Sequence, residues 1–376
     1  MGAAVRGLSR LGLLGVIALL AFAGVASLPH AYGRDAGSAT LAAPTLLLPA
    51  ASAAASPSPE VSVVAVGDLF FDHSSRQLIA SQGGKAPLTY VAPYLRTSDL
   101  TIGNLENPLS NRGQAVGGKP SNLIFEGDPR AVKGLVASGF DLVALANNHM
   151  MDHRKVALAD TLKTLNRAGI AHAGAGMNTA AAWRPAIVTR NGARIAYLSF
   201  TDIVPGGFTP SSSRPGVAIG RNMTRVKAAI RLAKRQADYV IVSFHWGVEQ
   251  SYTMNSQQIR DAHAAVNAGA DMVLSHHPHV VQGFEFYRGK LIAYSLGDFV
   301  FPYKTIEGRK SVILRATLTP HGTIRASVIP VYLGEYGRPK PVTGSLARAI
   351  LKRVRATSSR RHTRVSIVGN TAQLLP

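Results

Sequence analysis

The chain contains no cysteine. Disulfides, iron–sulfur clusters and thiolate zinc sites are therefore excluded, and any transition metal must be held by nitrogen and oxygen. Acidic residues are scarce: 20 Asp and Glu stand against 41 Lys and Arg, a formal net charge of +21. After Glu335 there is no acidic residue at all. Such an excess suits an anionic partner, whether nucleic acid, an envelope surface or a substrate, or else a general basic bias with no partner. No internal repeat is visible, and 376 residues at 46% hydrophobic are enough for one large domain with a real core.

Three segments of different texture follow one another. Arg6 and Arg10 precede an uncharged apolar run, Leu11–Leu28, which is the pattern of an export signal. Its length suits either a cleaved signal, with Gly24-Val25-Ala26 as a small-x-small cleavage site, or a retained membrane anchor. Either outcome places the remainder outside the cytoplasm, anchored or secreted. Residues 29–60 read as an Ala/Ser/Pro-rich linker. Residues 61–376 then alternate apolar strands with amphipathic helices. Strands are expected at Val61–Phe71, Asp99–Glu106, Asp141–His149, within DYVIVSFHWG and within DMVLSHHPH. Hairpins are expected about Asn191-Gly192, Arg288-Gly289 and His321-Gly322. The expectation is an α/β domain with mixed sheets.

Polar residues gather where the apolar strands stop. Asp68 follows VVAVG; Asn104 and Glu106 close DLTIGNLE; Asn147, Asn148 and His149 follow DLVALA; His245 follows DYVIVSF; and His277 and His279 follow DMVLS. Carboxyl ends of strands are where α/β sheets bind ligands. A nitrogen and oxygen set of this kind suits two divalent ions such as Mn, Fe or Zn, which together activate water and stabilise a phosphoryl-type transition state. Each member also has a plainer reading: Asp68 as a cap, His245 as a hydrogen-bonded core histidine, Asn147-Asn148 as turn residues. Alternation along a strand would put His277 and His279 on one side and turn His276 away.

The segments GDLFF, NLE, NNHMMD, HWGVE, HHPHVVQ and YSLGDFVF occur in this order. Together they resemble the bacterial capsule-synthesis CapA family, also called the poly-γ-glutamate synthesis family, over about residues 61–335. The resemblance implies the calcineurin-like metallophosphoesterase fold, a sandwich of two mixed sheets flanked by helices. It implies that Asp68 and His279 bind the first metal and that Glu106 stands in the place of a bridging Asp. It implies that Asn148, His245 and His277 bind the second metal, and that His149 protonates the leaving oxygen. Two positions depart from the pattern. Phe70 stands where the superfamily has a ligand His, with Asp72 and His73 nearby as substitutes of unusual spacing. Asp298 stands where the family more often has Asn, either orienting a ligand histidine or serving a turn.

Other polar residues of these motifs stay open between two readings. Trp246 and Glu249 are substrate contacts, or a packed ring and a solvated carboxylate. Asp152 hydrogen-bonds His149 or caps the next helix. Asn104 and Asn147 contact substrate or support the metal ligands, and Gln282 does the same or is structural. The basic tail, with LARAILKRV at helical spacing, is a solvated helix face or a contact for anionic polymer or lipid headgroups. Export and the lack of interleaved aromatics disfavour nucleic acid. Two functions follow: a di-metal hydrolase of phosphoester-type bonds in envelope material, or a non-catalytic, polymer-binding component of a membrane capsule-assembly machinery.

Overall fold

The computed structural model describes residues 59–303 and 305–376. The signal or anchor expected at 1–28, and nearly all of the linker expected at 29–60, lie outside the described residues. Among the described residues no helix is long and apolar enough to cross a membrane.

Val61–Leu69 forms the central strand of a ten-stranded mixed sheet. Leu100–Leu105, Leu142–Ala144 and Ala171–Ala173 follow it in parallel on one side. The long hairpin Lys310–Thr319 and Gly322–Leu333 pairs antiparallel on the other. Where that hairpin ends, the short strand Asp298–Val300 takes its place, parallel to the last residues of Val61–Leu69. A second sheet of six strands is built around Tyr239–His245, with Met272–His276 and Ala193–Thr201 parallel on its two sides.

The burial pattern explains the continuous apolar runs. Val63 and Ala65 face the second sheet, with Ile102 and Leu142, against Ile241, Leu274 and Tyr197. Val64 and Val66 face outward, beneath helices such as Arg154–Arg167, which contributes Leu158 and Leu165. A strand covered on both faces cannot alternate apolar with polar residues. Helices Met223–Lys234 and Ser256–Ala268 cover the outer face of the second sheet through Val226, Ile230, Ala262 and Ala265. The basic tail helix, Gly344–Ser359, inserts Ile350, Leu351 and Val354 into the core between the sheets and leaves Arg348, Lys352 and Arg355 exposed.

The hairpin expectations correspond to tight turns: Asn191 and Gly192 have φ of 51° and 83°, and Arg288 and Gly289 have 52° and 72°. Two strands are shorter than expected. DLVALANNH is a strand only over Leu142–Ala144, because Asn147 turns the chain by accepting from the N–H groups of His149 and Met150. DMVLSHHPH stops at His276, because His277 and His279 adopt left-handed backbone, with φ of 95° and 56°.

Parallel pairing of Asp68 with Asp298 needs backbone approach that only glycine permits. A Cβ on Gly67 would lie 1.8 Å from the carbonyl oxygen of Gly297, the same oxygen that accepts from the N–H of Asp68 at 2.9 Å. Gly67→Ala is therefore expected to force the two strand ends apart and to cost about 1–3 kcal/mol as an overpacking change. Urea unfolding of the variant against the parent checks this; an unchanged midpoint would refute the close-approach requirement.

Candidate metal centre

The chain ends of five parallel strands meet at one end of the sandwich. The larger sheet delivers Asp68, Asn104, Glu106, Asp298 and, past its third strand, Asn147, Asn148 and His149. The smaller sheet delivers His245, His276 and, just beyond, His277 and His279. Asp68, Glu106 and Asp298 are all fully buried. Asn104 Nδ2 donates to Asp68 Oδ1 at 2.8 Å, and Asn147 Nδ2 donates to Asn104 Oδ1 at 3.2 Å, so this pair of amides positions the first carboxylate. His245 Nε2 lies 2.7 Å from Asn148 Oδ1 and 3.3 Å from Glu106 Oε1. His279 Nδ1 lies 2.8 Å from Asp298 Oδ1 and 3.8 Å from Asp68 Oδ2.

Donor atoms converge in two groups, Glu106 with His277 and His279, and Asp68 with His279 and Asp298, each within 4.8 Å. Neither oxygen of Glu106 receives a hydrogen bond, nor do Asp298 Oδ2 and His277 Nδ1. A buried carboxylate without donors carries a large desolvation cost unless a cation compensates it. The electrostatics agree. Burial, and then the neighbouring Asp68 charge, push the Glu106 carboxyl well above its usual range. Burial and the adjacent imidazoles push His245 well down, and burial and His279 push His277 down to about 3. Burial opposes a charge on His279, but Asp298, Glu106 and Asp68 outweigh it and raise it to about 10. Three buried carboxyl groups facing these imidazoles form a donor set that fits divalent cations.

His149 sits beside this set. Its Nδ1 is 2.8 Å from Asp152 Oδ2, which leaves Nε2 for a ligand. Phe125 packs on the ring with centroids 4.2 Å apart, and its own N–H donates to Asp152. Burial holds the ring largely neutral, with its pKa pushed down to about 4 against the pull of Asp152. Lys119 Nζ donates to Asp152 Oδ1 at 2.5 Å and to the Asn148 carbonyl at 3.0 Å, and lies 3.1 Å from His149 Nδ1.

Several expectations change. Asp152 is not the cap of the next helix; His153 occupies that position, and Asp152 is spent on His149, Lys119 and Phe125. Trp246 does not face the cluster: it stacks on Phe244 at 4.3 Å and donates Nε1 to the Tyr294 carbonyl, inside the outer core of the second sheet. Glu249 is exposed on the loop beyond it. Gln282 is buried and ties that loop down, donating to the Ser251 carbonyl and accepting from Gln258. Asp72 caps its helix and accepts from Glu126 N–H, and His73 is exposed, so neither replaces the imidazole missing at Phe70. His276 does not turn away, since its Nδ1 is 3.2 Å from Asp68 Oδ1. Lys119 and Phe125 were missed altogether; they lie on an irregular Gly-rich loop with no periodicity to mark them.

The structure is thus a two-sheet α/β sandwich with a buried carboxylate–imidazole cluster at its strand ends. The chain belongs to the family of the bacterial capsule synthesis protein PGA_cap, whose model matches residues 62–303. It is 32% identical over 292 residues to the capsule biosynthesis protein CapA of Bacillus anthracis, covering 76% of this chain and 71% of that one. It is 34% identical over 281 residues to the PGA biosynthesis protein CapA of Bacillus subtilis, covering 74% and 72%. Among solved structures it is similar to the NAD nucleotidase of Haemophilus influenzae, with a TM-score of 0.43, 15% identity, and coverage of 78% of this chain and 63% of that one.

The Lys119–Asp152 pair yields a stability test. Lys119 is 13% exposed and Asp152 is fully buried. Asp152→Ala strands the ammonium and is expected to cost about 3 kcal/mol. The double variant Lys119→Met/Asp152→Ala should recover part of that loss. A double-mutant cycle by denaturant unfolding measures it, and purely additive losses would show that the two side chains do not act as a pair.

Proposed function

We propose that the protein is a metal-dependent hydrolase acting on phosphoester-type bonds in cell-envelope material during capsule or poly-γ-glutamate production. The observation that carries this reading is the set of buried, undonated oxygens of Glu106 and Asp298 among imidazoles, with His149 held alongside by Asp152. Asp68, Glu106, Asn148, His245, His277 and His279 would hold two divalent ions. Bound there, the ions would supply Lewis-acid charge to a phosphoryl centre.

The chain's own residues account for the remaining tasks. Asp152 keeps Nδ1 of His149 engaged, so proton delivery falls to Nε2. A negatively charged phosphoryl group in the site favours the imidazolium that burial disfavours, which couples substrate entry to charging of the acid. Phe125 restricts water on one face of that ring. Lys119 neutralises Asp152, so that the carboxylate orients His149 without adding net negative charge where an anion must bind.

His149→Ala is expected to retain its metal and to lose about 10²–10⁴-fold in rate, most severely on poor leaving groups. His277→Ala should lose at least one ion. Metal analysis with a phosphoester panel reads both. Equal rates in His149→Ala and parent would remove His149 from the mechanism. A metal-loaded chain inert on every phosphoester would instead favour the polymer-binding reading.

We place the protein outside the cytoplasm, where the basic residues of the tail helix meet anionic polymer or headgroups at about 1 kcal/mol per residue close to the surface. Full-length protein should fractionate with membranes or medium. Its binding to vesicles containing anionic lipid should fall as salt rises, because screening shortens. Recovery in the cytoplasm would refute export, and salt-independent binding would refute the electrostatic contact.

A further inference from the structure

We infer that Asp298 is a direct ligand of the first metal, and that the centre is divided into an oxygen-rich half and a nitrogen-rich half. This rests on the metal-centre reading above and specifies which atoms form it.

Phe70 cannot ligate. Its ring is 1% exposed and is held between Phe125 and Phe301, at centroid distances of 4.7 and 4.6 Å. The strand Asp298–Val300 supplies a replacement from another direction. Parallel pairing sets Asp298 opposite Asp68, and both carboxylates reach the same imidazole nitrogen, His279 Nδ1, at 2.8 and 3.8 Å. Donor atoms of Asp68, His279 and Asp298 all lie within 4.8 Å of one another, close enough for the two carboxylates to share one ion. A purely orienting Asp298 would satisfy one oxygen on His279 and require a donor for the other. Oδ2 has none and is buried, so a cation is the partner it lacks.

The two halves then differ in chemistry. Asp68, Asp298 and Glu106 with one imidazole make the first half mostly carboxylate. His245, His277 and Asn148 with the shared Glu106 make the second richer in nitrogen. Carboxylate donors suit Mn²⁺ or Mg²⁺, and imidazoles suit Zn²⁺ or Fe²⁺. The first half should therefore exchange its ion more readily and accept Mn²⁺, whereas the second should retain Zn²⁺.

The test is titration of the chelator-stripped full chain with Mn²⁺ and with Zn²⁺, read as ions bound per chain and as loss of the free Mn²⁺ resonance. Asp298→Asn keeps the side-chain size and an acceptor for His279, so an orienting role survives the change. It should nevertheless weaken Mn²⁺ binding by more than the roughly 10–100-fold that loss of an orienting partner costs, while the nitrogen-rich half still loads. Two ions bound with parental affinity would overturn the inference and leave the metal-centre reading standing. A parent chain that binds no ion would overturn both. Asp298→Cys gives an independent readout, because the chain has no other thiol. Loaded with Co²⁺, it should show a thiolate-to-metal charge-transfer band in the near ultraviolet. Absence of the band in a folded, Co²⁺-loaded variant would show that position 298 does not touch the ion.

Discussion

The rest of the structure is arranged around the burial together of Asp68, Glu106 and Asp298. Three carboxylates in a dry pocket repel one another, and the chain gives them few donors: the Asn104 amide and the His277 N–H on Asp68, an imidazole on Asp298, and none on Glu106. No folded domain tolerates that without a source of positive charge. The imidazoles are grouped to receive it, and the supporting amides, Asn104 and Asn147, set the first carboxylate's position without adding charge.

The backbone is shaped to the same end. Gly67 and Gly297 allow two strand ends to touch, which is what brings Asp298 opposite Asp68. His277 and His279 leave regular strand geometry for left-handed conformations that non-glycine residues rarely adopt. Such conformations persist where the surroundings overdetermine them, and they concentrate at functional sites. Here they bring consecutive histidines into one pocket that a regular strand would have divided between two faces.

How much of this was legible depended on whether the signal was local. The run Val61–Leu69 could be read as a strand because burial on both faces removes polar alternation, and Asn191-Gly192 as a turn because positive φ is cheap there. The order of polar residues at strand ends points to the cluster. What was hidden depended on contacts between segments distant in sequence. Asp298 acquires its role only through pairing with Asp68, and Lys119 is one of two cations, with Arg112, in a loop whose neighbours are unremarkable. His276 was assigned to the wrong face because period two was carried past the point where the strand ends. Trp246 was drawn toward the site by its adjacency to His245, when the pleat sends neighbouring side chains to opposite faces.

The cluster takes its donors from both sheets, with Asp68, Glu106, Asn148 and Asp298 on one and His245, His277 and His279 on the other. An ion bound between them would act as a rivet through the two layers at that end, whereas the remainder of the interface is held mainly by apolar contact, with Arg190 bridging to Asp141 and the Asp99 carbonyl at one edge. Loading and folding become one equilibrium, because a ligand that binds only the closed form stabilises that form by mass action. A chain kept from metal would then open first at the riveted end, and the availability of metal in the compartment where it folds would help decide how much of it persists.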